Sequence, residues 1–334
     1  MKKFDIAVVG CTGKVGRQMI TVLEERKLPY NNVVMFASAK SAGSTIKFDG
    51  KDYTIVELSE ENIKANKVDI VLMSAGGGTS KTFAPIFAET GAIVIDNSSQ
   101  WRMDENVPLV VPEANAQDAI NPPKGIIANP NCSTIQAIVA LKPLNDKYGI
   151  ERIVYSTYQA VSGAGVAGSQ DLVNGEQGIA PKKFNQPIYH NLIPQIDVFD
   201  PNGYTKEELK MVNETRKIFH NPEMRVTATT VRVPVPNCHS ESINVELKKP
   251  FDIEELKQDL ANAEGLVLVD DIANCVYPMP CNCDNKDEVF VGRVRRDFSV
   301  ENGINLWCVA DNIRKGAATN AVQIAQYLIA NWNK

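Results

Sequence analysis

The stretch Phe4-Asp-Ile-Ala-Val-Val-Gly10-Cys-Thr12-Gly13-Lys14-Val15-Gly16-Arg-Gln-Met19-Ile20-Thr-Val-Leu23 decides the fold. Phe4 to Val9 is a short apolar run of β type, and beyond Gly16 the residues Met19, Ile20 and Leu23 recur at helical spacing. Between strand and helix stands G-x-x-G-x-x-G at Gly10, Gly13 and Gly16. As a string this is a weak signal, because glycine turns are common. Its placement gives it meaning: backbone N–H groups and a helix N-terminus can accept a pyrophosphate there that a side chain would block. A plain strand-to-helix turn is the less favoured reading.

Working outward, further apolar runs fall at Val33 to Ala37, Ile70 to Met73, Ala92 to Ile95, Leu109 to Val111 and Gly125 to Ala128, with helical or loop segments between them. Such alternation predicts an α/β domain of Rossmann type, with a mostly parallel sheet and helices on both faces. After residue 130 the texture changes. Arg152 to Tyr158, Arg225 to Val233, Ser242 to Leu247, Val289 to Arg296 and Ile304 to Val309 read as longer, often alternating strands, which predicts an α+β domain on an open antiparallel sheet. Capping-box starts stand at Thr205-x-x-Glu208 and, with Asp in place of Ser or Thr, at Asp252-x-x-Glu255. Ala321, Ile324, Ala325, Leu328, Ile329 and Trp332 share one face of a closing amphipathic helix. The expected division is a dinucleotide-binding domain over 1–129 with the C-terminal helix over 314–334, and a second domain over 130–313.

At 334 residues, two connected domains are the natural expectation. A charged fraction of 22% and a formal net charge of -5 describe an ordinary globular protein, and no basic patch argues for nucleic acid. The opening MKKF is followed by too short an apolar run for a signal peptide or membrane span, so a cytoplasmic location is expected. Seven cysteines, an odd number, argue for reduced thiols. Cys275, Cys281 and Cys283 lack a C-x2-C knuckle and a nearby histidine, so they read as a surface-loop cluster, and no metal is expected.

An NAD site usually ends its second strand with a carboxylate for the ribose 2′-hydroxyl, but here the strand runs into Ser38-Ala-Lys40-Ser41-Ala-Gly43. Lys40 and Ser41 offer a charge and a hydroxyl to a 2′-phosphate, which makes NADP the better expectation, although a solvated surface lysine fits this segment equally well. A second glycine cluster, Ser74-Ala75-Gly76-Gly-Gly78, follows the strand ending at Met73, where such folds bind ligands; a flexible loop stays open as the alternative.

The candidate nucleophile is Cys132 in Asn129-Pro-Asn131-Cys132-Ser-Thr, directly before a helix with Ile135, Ile138 and Val139 at apolar positions. A thiolate at a helix N-terminus is favoured by the dipole, and the same N–H groups, with the Asn131 amide, can steady an oxyanion. Polar flanks argue against the inert buried reading. Of the three histidines, His239 stands among polar residues in a turn between two strands, seven positions after Arg232, and fits an acid/base beside an anion-binding residue. His220 at a helix end and His190 in a Pro-containing loop have ordinary structural explanations.

These residues resemble, over nearly the whole chain, the aspartate-semialdehyde dehydrogenase family in its bacterial, Gram-positive-like branch. The matching segments include Gly10 to Gly16, Ser38 to Gly43, Val94 to Ser98, Val110 to Glu113, Asn129 to Gln136, Tyr155 to Gly165, Glu207 to Lys210, Arg232 to Ser242 and Asp311 to Ala318. The resemblance implies NADP-dependent interconversion of L-aspartyl 4-phosphate and L-aspartate 4-semialdehyde, on the route to lysine or diaminopimelate, threonine and methionine. It implies that Cys132 forms an acyl thioester, Gln159 orients the substrate and His239 is the acid/base. Arg232 and Glu207 would clasp the α-carboxylate and α-amino group, and Arg102 and Lys210 the phosphate. Ser162, Gly163 and Asn312 would join the glycine-turn residues at the cofactor. The 130–313 domain would carry catalysis and dimerisation, in a homodimer or dimer of dimers.

Three positions depart from the family's pattern: Cys11 for the usual alanine, which would put a thiol near the pyrophosphate, Lys40 for the usual arginine, and a short segment from Gly178 to Leu192. The rivals are an N-acetyl-glutamyl-phosphate reductase, a non-catalytic NADP sensor and a thiol hydrolase. Gln159 and the Glu207/Lys210 pair favour a free amino acid substrate over the first, the set of Cys132, His239, Arg232 and Gln159 argues against the second, and the dinucleotide turn against the third.

Overall fold

The computed structural model describes residues 3–332; Met1, Lys2, Asn333 and Lys334, at the outer ends of the expected first domain, lie outside the described residues. The chain forms two compact units, Met1–Pro130 with Ala317–Lys334, and Asn131–Gly316.

The first unit holds β1 (Phe4–Val9), β2 (Tyr30–Ala37), a small hairpin of β3 (Thr45–Phe48) and β4 (Lys51–Thr54), then β5 (Val56–Glu57), β6 (Ile70–Met73), β7 (Ile93–Asp96) and β8 (Ile126–Ala128). Helices α1 (Lys14–Arg26), α2 (Glu60–Ala65), α3 (Gly77–Glu89) and α4 (Pro112–Asn115) connect them. The main sheet is parallel throughout in the order β5-β2-β1-β6-β7-β8. Its central strands are apolar and buried almost without alternation, as a sheet covered on both faces requires. The strand order reverses at β1, so the carboxyl ends of β1 and β6 flank the place where such sheets bind nucleotides. Gly10 stands there at φ +80°, and a Cβ on it would lie 2.2 Å from the Ser74 carbonyl oxygen. A Cβ at Gly16 would lie 2.1 Å from the Gly10 oxygen. Only glycine fits either position.

Leu109 to Val111, expected as a strand, makes a single parallel bridge from Leu109 to Ala128. Asn115 takes the backbone groups a ladder would use: its Oδ1 accepts from Val111 N at 2.9 Å and its Nδ2 donates to Leu109 O at 2.9 Å, while Pro112 opens α4. The closing helix (Asn320–Asn331), preceded by a π-helical stretch at Arg314–Thr319, buries Ala321, Ile324, Ala325 and Leu328 in the first unit's core. Trp332 stands edge-on to Phe4 at 5.0 Å.

The second unit is built on β9 (Ile150–Gln159), β10 (Arg225–Arg232), β11 (His239–Leu247), β12 (Leu266–Leu268), β13 (Val289–Asp297) and β14 (Gly303–Ala310), in the order β10-β9-β11-β14-β13-β12. The sheet is mixed and not simply antiparallel. The outermost pairs, β9 with β10 and β12 with β13, run parallel. Parallel neighbours need a long crossover, and between β9 and β10 the chain supplies α6 (Gly165–Glu176) and α7 (Lys206–Ile218). Helix α5 (Cys132–Tyr148) packs on this sheet with α8 (Ile253–Asn262), and α9 (Pro280–Cys283) is one turn beside β14. Thr205 and Glu208 form the full capping box at α7, whereas Asp252 caps α8 by accepting from Glu254 N and Glu255 N. Among the described residues no helix is long and apolar enough to cross a membrane.

Candidate active site

Three neighbouring strands of the second unit bring their ends to one edge. Gln159 ends β9, Arg232 ends β10 in parallel register with it, and His239 opens β11, whose next residue pairs with Tyr158. Cys132 enters as the first residue of α5 and is partly exposed. Asn131 is the N-cap, its Oδ1 accepting from Ser133 N at 3.0 Å and Thr134 N at 3.4 Å. Its backbone N donates to Glu214 Oε2 at 2.7 Å and its Nδ2 to Glu207 Oε1 at 2.9 Å. The amide expected at an oxyanion thus holds a carboxylate.

Glu207 is the hub. Its Oε1 also accepts from Gln159 Nε2 at 3.1 Å, and its Oε2 pairs with Lys210 Nζ at 3.0 Å. Burial by itself would raise this carboxyl, yet the Lys210 charge and the three donors pull it down to about 2, so it is an anion at any working pH. Lys210 is shared with Asp197 at 3.0 Å, and Gln159 accepts from Thr157 at 3.0 Å. Glu208 reaches past its capping box to accept from Thr230 N at 3.0 Å, which pins the start of α7 to β10.

Arg232 is buried, with Nη1 donating to Ala160 O at 2.7 Å and its guanidinium 5.9 Å from the Phe184 ring centroid. Burial lowers its hold on a proton, while the negative charges of Glu207 and of an ionised Cys132 raise it. Cys132 is thus one of the groups whose charge bears on the Arg232 guanidinium. His239 is wholly buried; its Nδ1 accepts from Ala160 N at 3.0 Å, and its Nε2 has no protein partner. Burial first, then Arg232, pushes its pKa down to about 3, against a smaller upward pull from Glu207. The turn before it is fixed by Cys238 at φ 68°, whose N donates to Asn312 Oδ1 at 3.0 Å, and Asn312 in turn bonds Ser162. His239 itself is the first residue of β11, not part of the turn.

Gly10 to Gly13 form the turn into α1, Gly16 lies in the helix's first turn, and no side chain caps the helix start. Lys40 is exposed and Ser41 half-buried in the turn after β2, and Ser74, Ala75 and Gly76 lead from β6 to the likewise uncapped start of α3. These ends suit a dinucleotide's phosphates: glycine cradles that a Cβ would fill, at helix N-termini open to an anion. Arg102 belongs to this unit too, with Nε donating to Asn129 O and Nη2 to Asn97 O, both at 3.0 Å. Cys11 does not offer a thiol to the turn. Its side chain is buried in the apolar core, and burial pushes it up to about 11.

The cysteine cluster is not all surface loop either. Cys275 and Cys281 are exposed, but Cys283 is buried and packs with Cys238. The ligand atoms of Cys238, Asp284 and Asp311 lie within 4.8 Å of one another. Asp311 is already spent on the N–H groups of Asn285, Ile313 and Arg314, so the trio reads as polar packing. His190 and His220, exposed at φ 52° and 50°, take no part in the Glu207 and His239 network. Sequence reading missed the Ala160 peptide, Glu214, Asp197 and Gly316; the first acts through its backbone and leaves no side-chain signal.

The fold is that of a nicotinamide-type dehydrogenase, and family models agree. Residues 5–121 match the semialdehyde dehydrogenase NAD binding domain and residues 141–315 the semialdehyde dehydrogenase dimerisation domain. The aspartate-semialdehyde dehydrogenase of Aquifex aeolicus is 53% identical over 98% of both chains, and that of Bacillus subtilis 47% identical over 97% of this chain and 96% of its own. The crystal structure of aspartate semialdehyde dehydrogenase II complexed with ASA from Vibrio cholerae superposes with a TM-score of 0.95 at 47% identity, covering 99% of this chain and 100% of that one. The chain belongs to the aspartate-semialdehyde dehydrogenase family. The rival readings find no support among these relatives.

Proposed function

We propose that this chain interconverts L-aspartyl 4-phosphate and L-aspartate 4-semialdehyde with NADP, through a thioester on Cys132, in the biosynthesis of lysine or diaminopimelate, threonine and methionine. One observation carries the reading: a cysteine at a capped helix start within electrostatic reach of Arg232, beside the Glu207 hub that Gln159, Asn131 and Lys210 share.

The helix start and the Arg232 charge favour the Cys132 thiolate. Its Sγ attacks the acyl carbon, the bond to phosphate breaks, and phosphate leaves. Bound NADPH supplies the hydride that reduces the thioester carbon. Arg232 offers its guanidinium to the substrate's α-carboxylate and Glu207 its carboxylate to the α-amino group, with Gln159 fixing Glu207 and facing the substrate. Lys210 and Arg102 are assigned to phosphate, His239 to the reacting carbonyl oxygen, and Ser162, Gly163 and Asn312, with the first unit's glycine turns, Lys40 and Ser41, to the cofactor. In the Candida albicans enzyme, whose structure with NADP superposes with a TM-score of 0.77 at 25% identity, the same fold holds that cofactor. A homodimer or dimer of dimers and a cytoplasmic location complete the reading, the first in line with the dimerisation-domain match.

The test is reduction of NADP+ with aspartate semialdehyde, with and without phosphate, and with NAD+ in its place. Phosphate-dependent turnover that prefers NADP+ is expected. Turnover that ignores phosphate would overturn the reaction assigned.

A further inference from the structure

Between the end of α6 at Glu176 and the bridge at Ile193 the chain forms neither helix nor strand, yet it is fastened along its length. The carboxylate of Asp171, buried on α6, accepts from Lys182 N at 2.8 Å through Oδ1, and from Lys183 N at 2.7 Å and Phe184 N at 2.9 Å through Oδ2. Three N–H donors on one buried anion satisfy its charge and fix the peptides that carry them. Farther on, Ile188 and Ile193 are buried with Val161, and Leu172 and Phe184 pack against that group. Ile193 then pairs with the backbone of Arg232, accepting from its N at 2.9 Å and donating to its O at 3.0 Å. The loop therefore starts on α6 and ends on the peptide of Arg232 itself. Within it, the Phe184 ring meets the Arg232 side chain, whose guanidinium carbon stands over the ring at 5.9 Å from its centroid. Gly168 leaves the tip of the ring its place, since a Cβ there would stand 3.1 Å from Phe184 Cζ.

Arg232 spends Nη1 on the Ala160 carbonyl, and no other described residue accepts from its guanidinium. The aromatic contact holds the cation without consuming an N–H, which leaves Nε and Nη2 for an in-plane carboxylate. We propose that Phe184, presented by the loop that Asp171 fastens, is a positioning residue that sets the Arg232 fork for the substrate's carboxylate and so determines specificity for aldehydes that carry one. The inference rests on the carboxylate role proposed for Arg232 above. A guanidinium released from the ring would sample other rotamers, and part of the carboxylate's binding would go into ordering it again. The ring acts on a group that grips the substrate before and during the reaction alike, so its loss weakens binding and spares the chemical step.

The test is calorimetry of aldehyde binding to protein carrying Cys132→Ala, in which no bond to the thiol can form. The probes are L-aspartate 4-semialdehyde and 3-aminopropanal, the same aldehyde without its carboxylate. Phe184→Leu should weaken the semialdehyde by roughly 3- to 30-fold, the range of one desolvated cation–π contact, and change 3-aminopropanal by less than about twofold. Trifluorophenylalanine at position 184 keeps the shape of the ring and drains its face of charge, so it should weaken the semialdehyde selectively too, in a chain whose packing is preserved. Equal losses for both aldehydes, or an unmoved affinity in the fluorinated protein, overturn the proposal. Asp171→Asn removes one of the two accepting oxygens, so faster amide exchange at Lys182 to Phe184 should accompany weaker semialdehyde binding; faster exchange alone overturns the part given to the loop. In the enzyme with its thiol, Phe184→Leu should raise the semialdehyde KM while kcat and the NADP+ KM move by less than about twofold, and a fall in kcat alone overturns the positioning role. Wild-type protein without phosphate-dependent turnover overturns the reaction proposed above, whereas carboxylate-selective binding is read by calorimetry without turnover, so the two failures are distinct.

Discussion

Gly316 packs against Cys132 so closely that a Cβ at 316 would stand 2.8 Å from the Cys132 Cβ and 3.2 Å from its Cα. Neither contact is to the loose end of a side chain, so relief requires moving the start of α5. Gly316 is itself tied by its N–H to Asp311 O at 3.0 Å. We expect Gly316→Ala to lower kcat roughly 100-fold, the scale of an ångström-sized misplacement, with the semialdehyde KM moved far less and alkylation of Cys132 by iodoacetamide altered. A variant with wild-type kcat would show that the helix start absorbs the methyl.

Cys132→Ala should abolish phosphate-dependent turnover while NADP+ affinity, measured by calorimetry, changes by no more than about twofold, because the thiol forms a bond to substrate and not to cofactor. Turnover above background would remove Cys132 from the mechanism.

Much of this was legible because the chemistry resides in side chains at local signals. The turn from Gly10 to Gly16 and the helix beginning at Cys132 each announce themselves within a few residues. The mixed sheet was less legible, since alternation reports which face is buried and not the direction of the neighbour; the crossover through α7 sets that direction. Leu109 to Val111 misled because apolar content does not reveal that Asn115 has taken the backbone groups. The contribution of Ala160 was invisible altogether: alanine carries no chemistry, and its N–H and carbonyl matter only because three strand ends meet there.

Lys40→Glu tests the cofactor assignment. A carboxylate at the turn after β2 repels a 2′-phosphate and can accept from a 2′-hydroxyl, so the ratio of kcat/KM for NADP+ over NAD+ should fall by at least about tenfold. An unmoved ratio would make Lys40 a solvated bystander.

Glu207→Gln keeps the shape of the hub and removes its charge. Lys210 then faces an amide, and the substrate's ammonium loses its counter-ion, a charged hydrogen bond worth about 1.5–3 kcal/mol. The semialdehyde KM should rise by roughly 10- to 100-fold with kcat reduced less. If KM held and kcat alone fell, Glu207 would be orienting Gln159 and Cys132 and not binding the amino group.

His239 should leave a signature in stability as well as in rate. Its pKa is about 3 in the fold, against about 6.5 for an unperturbed histidine. Between those values the unfolded chain binds a proton that the folded chain refuses, so unfolding becomes easier as pH falls from about 6.5 toward 3, and the stability present above that window is lost on descending through it. The slope from this one group approaches about 1.4 kcal/mol per pH unit, which amounts to roughly 2 kcal/mol between about pH 7.5 and pH 5. His239→Gln has no such group, and every other titrating residue is common to both proteins. Urea unfolding at a series of pH values should therefore show wild type losing stability faster than the variant on acidification, with the gap changing by that amount. Parallel curves would mean that the buried imidazole takes up its proton in the folded state.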